Sequence, residues 1–369
     1  MRYIGNKTRL LPFLLGAIRK LGLAAGTAHD AFAGTAAVGR ALKAEGWRVA
    51  SSDLMEYSYV FQRAYVVANR MPSFADLRAG DSRVARAFRD KDVVARARAA
   101  GTGALGVVAS VLADRLEPAA GFVTRRFSPR GQRRFFTVEN AMRIDAAREA
   151  LHGWRAEGLL SDHGYFLLLA SLIEGADRVA NTAGVYAAFI KSWQPNARRT
   201  LALSPVPPIA GVRGSTAHRR DADSVARDLG EVDLLYLDPP YNTRQYSGYY
   251  HVPELIARGW FDGAPVLRGK TGLPSLPGTR SAWSEPANVE GALRSLLAAT
   301  GARHVLLSYN SEGLLPRARL MDVLHAASID GRVRQFRRGY KRYRADRDRL
   351  GRRYSADRVT ELLYHIRTR

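Results

Sequence analysis

The sequence predicts an α/β protein, built on an open, mostly parallel sheet that a largely helical insertion interrupts near residues 70–200. Two continuous apolar runs, at 232–237 and 304–309, have the length and composition of buried parallel strands. Strand and helix patterns alternate along the chain outside the insertion, as in a doubly wound sheet. Residues 75–120, inside the insertion, are rich in Ala and Arg and typical of helices.

The N-terminal part of the chain is predicted to form a strand, a glycine turn, a helix and a second strand that ends at an acidic residue. A short amphipathic helix precedes them, and a glycine stops the second helix. The segments are a helix at 10–21, a strand at 27–33 ending at Gly34, a helix at 38–46 and a strand at 48–52 followed by Asp53.

The remaining elements are assigned from the same patterns. Thr137 and Asn140 are predicted to cap a helix, and stretches rich in Gly or Pro are predicted to be connectors. The segments are helices at 137–154, 165–179 and 316–327, a connector at 206–214, a loop at 267–280, and antiparallel strands at 332–340 and 358–366 around a basic turn.

Composition excludes several classes of protein. The 369 residues are 46% hydrophobic and 25% charged, which argues against wholesale disorder. The absence of Cys excludes disulfides, thiolate metal sites and cysteine nucleophiles. No apolar run reaches about 18 residues and the charged N-terminus is unlike a signal peptide, so we expect a cytoplasmic protein with no membrane partner. The His residues lack metal-ligand spacing, so we predict no metal and assign His251 and His304 to packing or hydrogen bonding.

The net charge needs an explanation of its own. At +23 it predicts a polyanionic partner, most often nucleic acid. Most of the basic residues are Arg, as a GC-rich genome would give. Codon bias explains which basic residue is used, but it does not explain the excess.

The sharpest chemical signal is the tetrapeptide Asp238, Pro239, Pro240 and Tyr241, directly after the apolar run 232–237. Ligands of doubly wound sheets bind beyond the carboxyl ends of strands. The tetrapeptide suits methyl transfer to an exocyclic amino group, because the Asp238 carboxylate and the Pro239 carbonyl each accept an N–H bond and draw the nitrogen toward tetrahedral geometry. The prolines fix φ and remove two competing donors, and the Tyr241 ring offers a face for a flipped base. A tight turn without chemistry is the simpler alternative.

A weaker signal follows the first predicted strand. Asp30, Phe32, Gly34 and Thr35 lie in a turn where glycine lets a cofactor approach the backbone at a helix N-terminus. Asp53, after the next strand, is placed to accept ribose hydroxyls. By itself this segment is not the full G-x-G-x-x-G pattern, and it equally fits an ordinary turn.

Taken together, the motifs resemble the alpha (D12) group of adenine-N6 DNA methyltransferases, the Dam-like family often found in restriction–modification systems. In that family a Y-x-G-x-K element precedes an F-x-G-x turn, a target-recognition insertion follows, and DPPY comes last. Tyr3, Gly5 and Lys7 supply the first element, although alone they fit an ordinary helix entrance; 32–35 and 238–241 supply the others in the same order.

The resemblance covers nearly the whole chain. Interior blocks of one branch of the family are similar to residues 136–145, 181–191, 242–246 and 307–313. One position departs from the family pattern, because Ala36 stands where many relatives carry a second Gly.

The resemblance implies a Rossmann-like methyltransferase sheet at residues 1–70 and 201–369 and an inserted, largely helical target-recognition domain at 71–200. It implies a site-specific enzyme that methylates N6 of a flipped adenine in double-stranded DNA, with S-adenosylmethionine as donor and a cognate restriction endonuclease as candidate partner. Gly5 and Lys7 fall near the methionine end of the donor. The cofactor residues implied are Tyr3, Gly5, Lys7, Asp30, Phe32, Gly34, Thr35, Asp53 and Asp221, the last at the donor's adenine with Asp223 as rival and a helix N-cap as the plain alternative.

Three basic or aromatic regions are candidates for DNA contact, because Arg and Lys hold phosphates and aromatic rings stack on bases. They are a segment of Arg interleaved with Phe, the residues after the tetrapeptide, and a basic hairpin at 332–353; for each, a solvated or packed loop is the alternative. The candidates in these regions, together with Lys191, are Arg125, Arg126, Arg130, Arg133, Arg134, Asn242, Arg244, Tyr246, Arg338, Lys341 and Arg342.

The sequence leaves two other functions open. Related tetrapeptides serve several amino acceptors, so methylation of cytosine N4 or of structured RNA is an alternative, although the long insertion disfavours a minimal RNA enzyme. A catalytically silent DNA-binding relative is the other, and the intact Asp238 and Pro239 argue against it. We expect Asp238 to have an ordinary pKa and so to be a weak base, which leaves the amino proton to solvent.

Overall fold

A computed structural model describes residues 1–310, 313–341 and 358–368. The described chain forms two compact units. The helical unit comprises Met1–Ile4, Arg63–Ala210 and Tyr246–Pro277, and the sheet unit comprises Gly5–Gln62, Gly211–Gln245 and Gly278–Arg369. Each unit is therefore assembled from three separate stretches of sequence.

The described residues form a seven-stranded sheet in the sheet unit and a two-stranded ribbon in the helical unit. The strands are β1 (Thr27–Asp30), β2 (Arg48–Ser52), β3 (Thr216–His218), β4 (Glu231–Leu237), β5 (Leu267–Arg268), β6 (Leu273–Pro274), β7 (Gly301–Asn310), β8 (Arg334–Lys341) and β9 (Arg358–Arg367).

The sheet has the strand order β3-β2-β1-β4-β7-β9-β8. The first five of these strands are mutually parallel, whereas β9 runs antiparallel to both β7 and β8. The order reverses between β1 and β4, where Asp30 is in register with Tyr236. In an open parallel sheet, the crevice beyond such a reversal is the expected place for a ligand.

Helices make up most of the remaining described structure. Shorter helical turns are Lys7–Leu10, Arg63–Val67, Pro129–Gly131, Pro195–Arg198 and Ala282–Ser284. The α-helices are α1 (Leu11–Lys20), α2 (Ala37–Ala44), α3 (Glu56–Gln62), α4 (Ala75–Gly80), α5 (Ser82–Arg89), α6 (Lys91–Ala99), α7 (Gly103–Asp114), α8 (Phe122–Phe127), α9 (Val138–Ala156), α10 (Asp162–Arg178), α11 (Ala222–Leu229), α12 (Tyr246–Tyr249), α13 (His251–Arg258), α14 (Val289–Ala299) and α15 (Arg317–Ala327).

The core of the sheet unit lies on both faces of the central strands. On one face, Leu235, Leu237 and Val305 pack with residues of α11, α14 and α15. Side chains alternate along a strand, so Leu234 and Tyr236 point to the other face, and they too are buried. Burial on both faces explains why β4 is a continuous apolar run rather than an alternating one.

The helical unit is organised around α10, which packs against α7, α9 and α13. Leu167, Leu168 and Ile173 of α10 are fully buried. Ser161 caps the start of this helix by accepting the Gly164 N–H at 3.2 Å. An apolar helix with few polar positions is thus placed where its whole circumference is covered.

The sequence correctly predicts a mixed α/β chain with a mostly parallel sheet. The predicted strand at 48–52 coincides with β2, and the two apolar runs lie within β4 and β7. The predicted strand at 27–33 ends early, at Asp30, because the following residues turn toward β2, where the Ala33 N–H donates to the Ser52 carbonyl. The predicted loop at 267–280 contains the β5–β6 ribbon. Strand β3 has three residues, too few to leave a pattern.

Within the described residues, no helix combines the length and the apolar composition that crossing a bilayer requires.

Asp145 is a buried anchor of the helical unit and yields a test of this packing. Its carboxylate accepts the backbone N–H groups of Gly121, Val123 and Thr124 at 2.8–2.9 Å, and the Thr124 hydroxyl at 2.7 Å. Asp145→Asn removes part of this acceptor capacity at the N-terminus of α8, and we expect it to lower the free energy of unfolding by about 2 kcal/mol. Urea unfolding followed by circular dichroism measures the loss.

The matched control is Glu139→Gln, on the same helix. Glu139 is exposed and, among the residues that the structure describes, pairs with Arg143 alone, one helical turn away, so we expect a loss below about 0.5 kcal/mol. Equal losses in the two variants would contradict the assignment of Asp145 as the anchor.

Candidate active site

Three acidic residues lie at the same edge of the sheet unit. Asp30 ends β1, Asp53 follows β2 and Asp238 follows β4, and these strands are parallel neighbours. The carboxyl ends of parallel strands meet at one edge. Because β1 and β4 flank the reversal of strand order, Asp30 and Asp238 border the expected ligand crevice.

Asp238 is held by Lys7 and Tyr241. The Tyr241 hydroxyl donates to Asp238 Oδ1 at 2.5 Å, and Lys7 Nζ lies 3.1 Å from the same oxygen. Lys7 Nζ also lies 2.8 Å from the Tyr241 hydroxyl and 4.9 Å from the centre of the Tyr241 ring. The other oxygen, Oδ2, receives no hydrogen bond from the residues that the structure describes, and the side chain is 15% exposed. One oxygen is thus fixed while the other is available.

Glu361 completes this buried cluster. It lies on β9 in register with Asn310, near the carboxyl end of β7, so the antiparallel strand brings it back to the Asp238 edge. Its Oε1 lies 2.6 Å from Lys7 Nζ and accepts a hydrogen bond from Ser308. The residue is 1% exposed, and Oε2 has no hydrogen-bond partner among the described residues.

The electrostatics of the cluster differ from the expectation of an ordinary Asp238. Burial raises the pKa of Asp238 to about 6, Lys7 opposes that rise, and Glu361 adds to it. The expectation of an ordinary pKa is therefore wrong, because desolvation of a carboxylate disfavours its charged form. Burial lowers the pKa of Lys7, but Asp238 and Glu361 together raise it above its usual value, so the lysine stays cationic.

The glycine turn after β1 is tied to β2 through Asp53. The Gly34 N–H donates to Asp53 Oδ2 at 2.9 Å, and the Met55 N–H donates to Oδ1 at 3.0 Å. Gly34 has a φ of +51°, which glycine adopts readily. Ala36, the position that departs from the resembled pattern, has a φ of +58° and lies directly before α2. Glycine adopts this left-handed conformation more readily than alanine does.

Asp30 lies beneath the same turn. It is 1% exposed, and its Oδ2 accepts the Gly39 N–H of α2 at 3.0 Å. Burial raises the pKa of Asp30 to about 7, with the Gly39 bond acting against the rise and the charges of Asp238 and Asp53 adding to it. Near neutral pH, this acid is consequently poised between its two protonation states.

The other predicted cofactor residues of the sheet unit have varied surroundings. The Phe32 ring meets Trp283 edge-on at 4.8 Å, and Thr35 is half-buried. Gly5 has a φ of +81° ahead of the turn that carries Lys7. Asp221 is exposed and caps α11 by accepting the Asp223 N–H at 3.0 Å, which is the N-cap alternative given for it above.

The residues after the tetrapeptide form a tied loop in the sheet unit. Asn242 Oδ1 accepts the Arg244 N–H at 2.9 Å. The Gln245 amide exchanges two hydrogen bonds with the Ser281 backbone, at 2.8 and 3.0 Å. The Arg244 side chain is exposed. The loop therefore holds its shape while presenting a cation to solvent.

Tyr3 and Tyr246 belong to the helical unit. The Tyr3 ring stacks on Tyr250 at 4.7 Å and meets Tyr246 at 5.4 Å. The Ile4 N–H donates to the Tyr250 hydroxyl at 2.7 Å. Tyr3, a predicted cofactor residue, thus packs in an aromatic cluster with two of the tyrosines that follow the tetrapeptide.

The Arg and Phe residues at 122–136 point in different directions. Phe127, Phe135 and Phe136 are fully buried, so they anchor the segment. The side chain of Arg133 donates to the carbonyls of Lys270 and Gly269, among others, which gives it a structural role. Arg125, Arg126, Arg130 and Arg134 are exposed, as is Lys191, whose carbonyl accepts from Arg134 at 2.7 Å.

The predicted basic hairpin is described in part. Arg338 lies on the edge strand β8 and is exposed, and Lys341 ends that strand. Arg342 and the rest of the turn, up to residue 357, lie outside the described residues.

The interior blocks of the resemblance include side chains that tie the backbone of the helical unit. Asn140 donates to the carbonyls of Ala197 and Arg199 and accepts the Leu201 N–H. Asn181 similarly binds the backbone of Arg134, Ile190 and Gln194. These residues position loops rather than react.

Sequence reasoning missed Glu361. Its signal is a single acidic residue in the apolar strand VTELLYHI, at 359–366. An acid in an otherwise apolar strand is expected to have a buried partner. The partner, Lys7, is 354 residues away along the chain, so the pattern alone does not reveal it.

Comparison with known proteins identifies the family of the chain. The family model for D12 class N6 adenine-specific DNA methyltransferase matches residues 3–309. The chain belongs to this family.

Curated relatives are named as methyltransferases or modification methylases, and they are either similar in length to this chain or about twice as long. The chain is 31% identical to the type II methyltransferase M.NlaIII of Neisseria lactamica, over 99% of this chain and 98% of that protein. It is 30% identical to the modification methylase StsI of Streptococcus sanguinis, over 94% of this chain and 49% of that protein. It is 33% identical to the modification methylase LlaI of Lactococcus lactis subsp. lactis, over 93% and 51%. The chain thus spans about half the length of the last two, and no solved structure matches it significantly.

Proposed function

We propose that the protein is a site-specific DNA methyltransferase that acts on N6 of adenine in double-stranded DNA, as the modification enzyme of a restriction–modification system. One observation carries the proposal: Asp238 has one oxygen held by Lys7 and Tyr241, while Oδ2 is free of hydrogen bonds from the described residues. Membership of the D12 family and the similarity to named modification methylases support the choice of base and substrate.

The residues of the tetrapeptide have distinct parts in this proposal. Asp238 Oδ2 accepts one N–H of the adenine amino group, and the Pro239 carbonyl accepts the other. The Tyr241 ring stacks on the flipped base while its hydroxyl holds Oδ1. Pro240 fixes the backbone direction at the turn. These bonds draw the nitrogen lone pair out of conjugation with the ring. They also hold the nitrogen in place for attack, and this positioning supplies much of the acceleration.

The residues at the edge of the sheet suit S-adenosylmethionine as the cofactor. Its chemistry when bound is to supply a methyl group on a sulfonium. Two carboxylates, Asp30 and Asp53, and the glycine turn at Gly34 adjoin the ends of β1 and β2. Asp53, which is partly exposed, is placed to accept ribose hydroxyls, whereas Asp30 is 1% exposed and supports the turn through the Gly39 N–H. Lys7, by contrast, is engaged with Asp238 and Glu361, so its part is with the acidic cluster.

For the DNA partner, we assign residues 71–200 to target recognition and 1–70 with 201–369 to catalysis. Support comes from the exposed Arg125, Arg126 and Arg130, on a segment that buried Phe side chains anchor in the helical unit. Anchored cations on a surface suit contact with phosphates and guanine edges. A cognate endonuclease would be the natural partner of such an enzyme.

Removal of the Asp238 carboxylate tests the mechanism. Asp238→Ala is expected to lower methyl transfer by about 10³-fold, because the amino group loses its acceptor, while cofactor binding measured by calorimetry is largely retained. Transfer of labelled methyl groups to a plasmid, followed by digestion to nucleosides, also identifies the methylated base. The control Asp228→Ala changes an exposed acid of α11 and should leave the rate unchanged. Retained formation of N6-methyladenine by Asp238→Ala would sink this mechanism.

The pH dependence of transfer follows from the pKa of Asp238, about 6. The ionised form is the acceptor, so the rate is expected to be constant above pH 7 and to fall about tenfold between pH 7 and pH 5. Single-turnover rates at saturating DNA and donor measure this fall in rate at low pH, the acid limb of the profile, without a contribution from binding. A flat profile over this range would contradict the role of the Asp238 carboxylate.

Salt dependence tests the assignment of the exposed Arg residues. Arg126→Ala is expected to reduce the slope of log K for DNA against log salt by about 1, because one phosphate contact is lost. Arg303→Ala is the control. Arg303 is exposed near the amino end of β7, away from the edge that carries Asp238, and it pairs with Asp233. Fluorescence anisotropy with one duplex at several salt concentrations gives both slopes. Identical slopes for Arg126→Ala and the unchanged protein would remove Arg126 from the interface.

A further inference from the structure

Glu361 is a buried charge for which the proposed reaction has no direct use. It is 1% exposed, and Ser308, Tyr241 and Lys7 surround its Oε1 at the Asp238 edge of the sheet. Leaving a carboxylate without water is costly unless a cation compensates it. Lys7 is that cation in the described structure, 2.6 Å from Glu361.

Lys7 is shared unequally between two carboxylates. Its Nζ lies 2.6 Å from Glu361 Oε1 and 3.1 Å from Asp238 Oδ1. One positive charge therefore faces two negative charges, and the shorter contact goes to the residue farther from the proposed substrate. Without Glu361, the whole charge of Lys7 would act on Asp238, and a tight ion pair would weaken that carboxylate as a hydrogen-bond acceptor.

The other groups around Asp238 do not substitute for Glu361. Tyr241 donates to the same oxygen that Lys7 approaches. Asp30 lies on the neighbouring strand, but burial raises its pKa to about 7, so it supplies no cation and only a partial negative charge below that pH; the buried Tyr236 is uncharged near neutral pH. Glu361 is the group placed to withdraw Lys7 from Asp238.

We propose that Glu361 is a positioning residue for methyl transfer: it holds Lys7 so that the lysine orients Asp238 Oδ1 without fully neutralising the carboxylate. This inference rests on the proposed function of Asp238. It assigns a role to the C-terminal strand β9, which lies beyond residues 3–309, the part of the chain that the family model matches.

Opposite shifts of the acid limb form the first test. In Glu361→Gln, Lys7 acts on Asp238 alone, so the limb of the single-turnover rate should move down by about 1 pH unit, and the plateau rate should fall because the acceptor is weaker. In Lys7→Met, the stabilising cation is lost, and the limb should move up by a similar amount. A merely structural role for Glu361 would lower the rate without moving the limb.

Two further variants sharpen this comparison. Glu361→Asp keeps the charge and should restore the limb to within a few tenths of a unit of its original pH. Glu45→Gln removes an exposed acid of the same unit, paired with Arg19, and should change neither the limb nor the plateau. An unmoved limb in Glu361→Gln, in a chain that methylates DNA, overturns the inference and leaves the proposed function standing.

Thermal unfolding tests the coupling between Glu361 and Asp238 without requiring the protein to be active. Asp238 has a pKa of about 6 when folded, above its value of about 3.9 when unfolded, so the stability present below pH 4 is lost as the pH rises through 6. The gain in Tm from Asp238→Asn should therefore grow between pH 4 and pH 7. In a Glu361→Gln background, this growth should be much smaller.

The two tests separate the two claims. If the unchanged protein transfers no methyl group to any DNA at any pH, the proposed function fails, and the unfolding series still decides the charge coupling. Equal pH-dependent gains from Asp238→Asn with and without Glu361 would overturn the inference about Glu361.

Discussion

The buried ammonium of Lys7 is the interaction on which the rest of the site depends. Two carboxylates, Asp238 and Glu361, and the Tyr241 hydroxyl converge on it within 3.1 Å. Charges are removed from water at such a place only if they compensate one another closely. The N-terminal segment, the end of β4 and the C-terminal strand must therefore meet, although they are far apart in sequence. The cluster ties both ends of the sheet unit to the acidic residue that is proposed to hold the substrate.

The topology of the sheet brings these residues together. Parallel strands deliver Asp30, Asp53 and Asp238 to one edge, and the antiparallel return of β9 delivers Glu361 to the same edge. Burial then raises the pKa of Asp30 to about 7 and of Asp238 to about 6, with the charges of Asp238 and Asp53 adding to the first shift and that of Glu361 to the second. A basic protein thus contains an acidic centre whose protonation changes in the physiological range.

In the helical unit, several buried polar side chains form hydrogen bonds to the backbone, whereas most of the predicted DNA-contacting cations are exposed at the surface. Asn140 and Asn181 satisfy buried N–H and carbonyl groups of irregular segments, and Asp145 satisfies the free N–H groups at the start of α8. Phe127, Phe135 and Phe136 bury the segment whose Arg side chains are exposed. Interleaved aromatic and basic residues in the sequence are therefore two faces of one segment rather than a single mixed surface.

Local patterns in the sequence by themselves determined the α/β class, the apolar strands β4 and β7, the tetrapeptide at 238–241 and the glycine turn, because each depends on neighbours within a few residues. Only the tertiary structure decided what surrounds them. The pairing of Lys7 with Glu361, the raised pKa of Asp238 and the structural use of Arg133 all depend on burial and on distant partners. Desolvation and long-range contact are properties of the packed chain, so a residue's type and spacing do not reveal them.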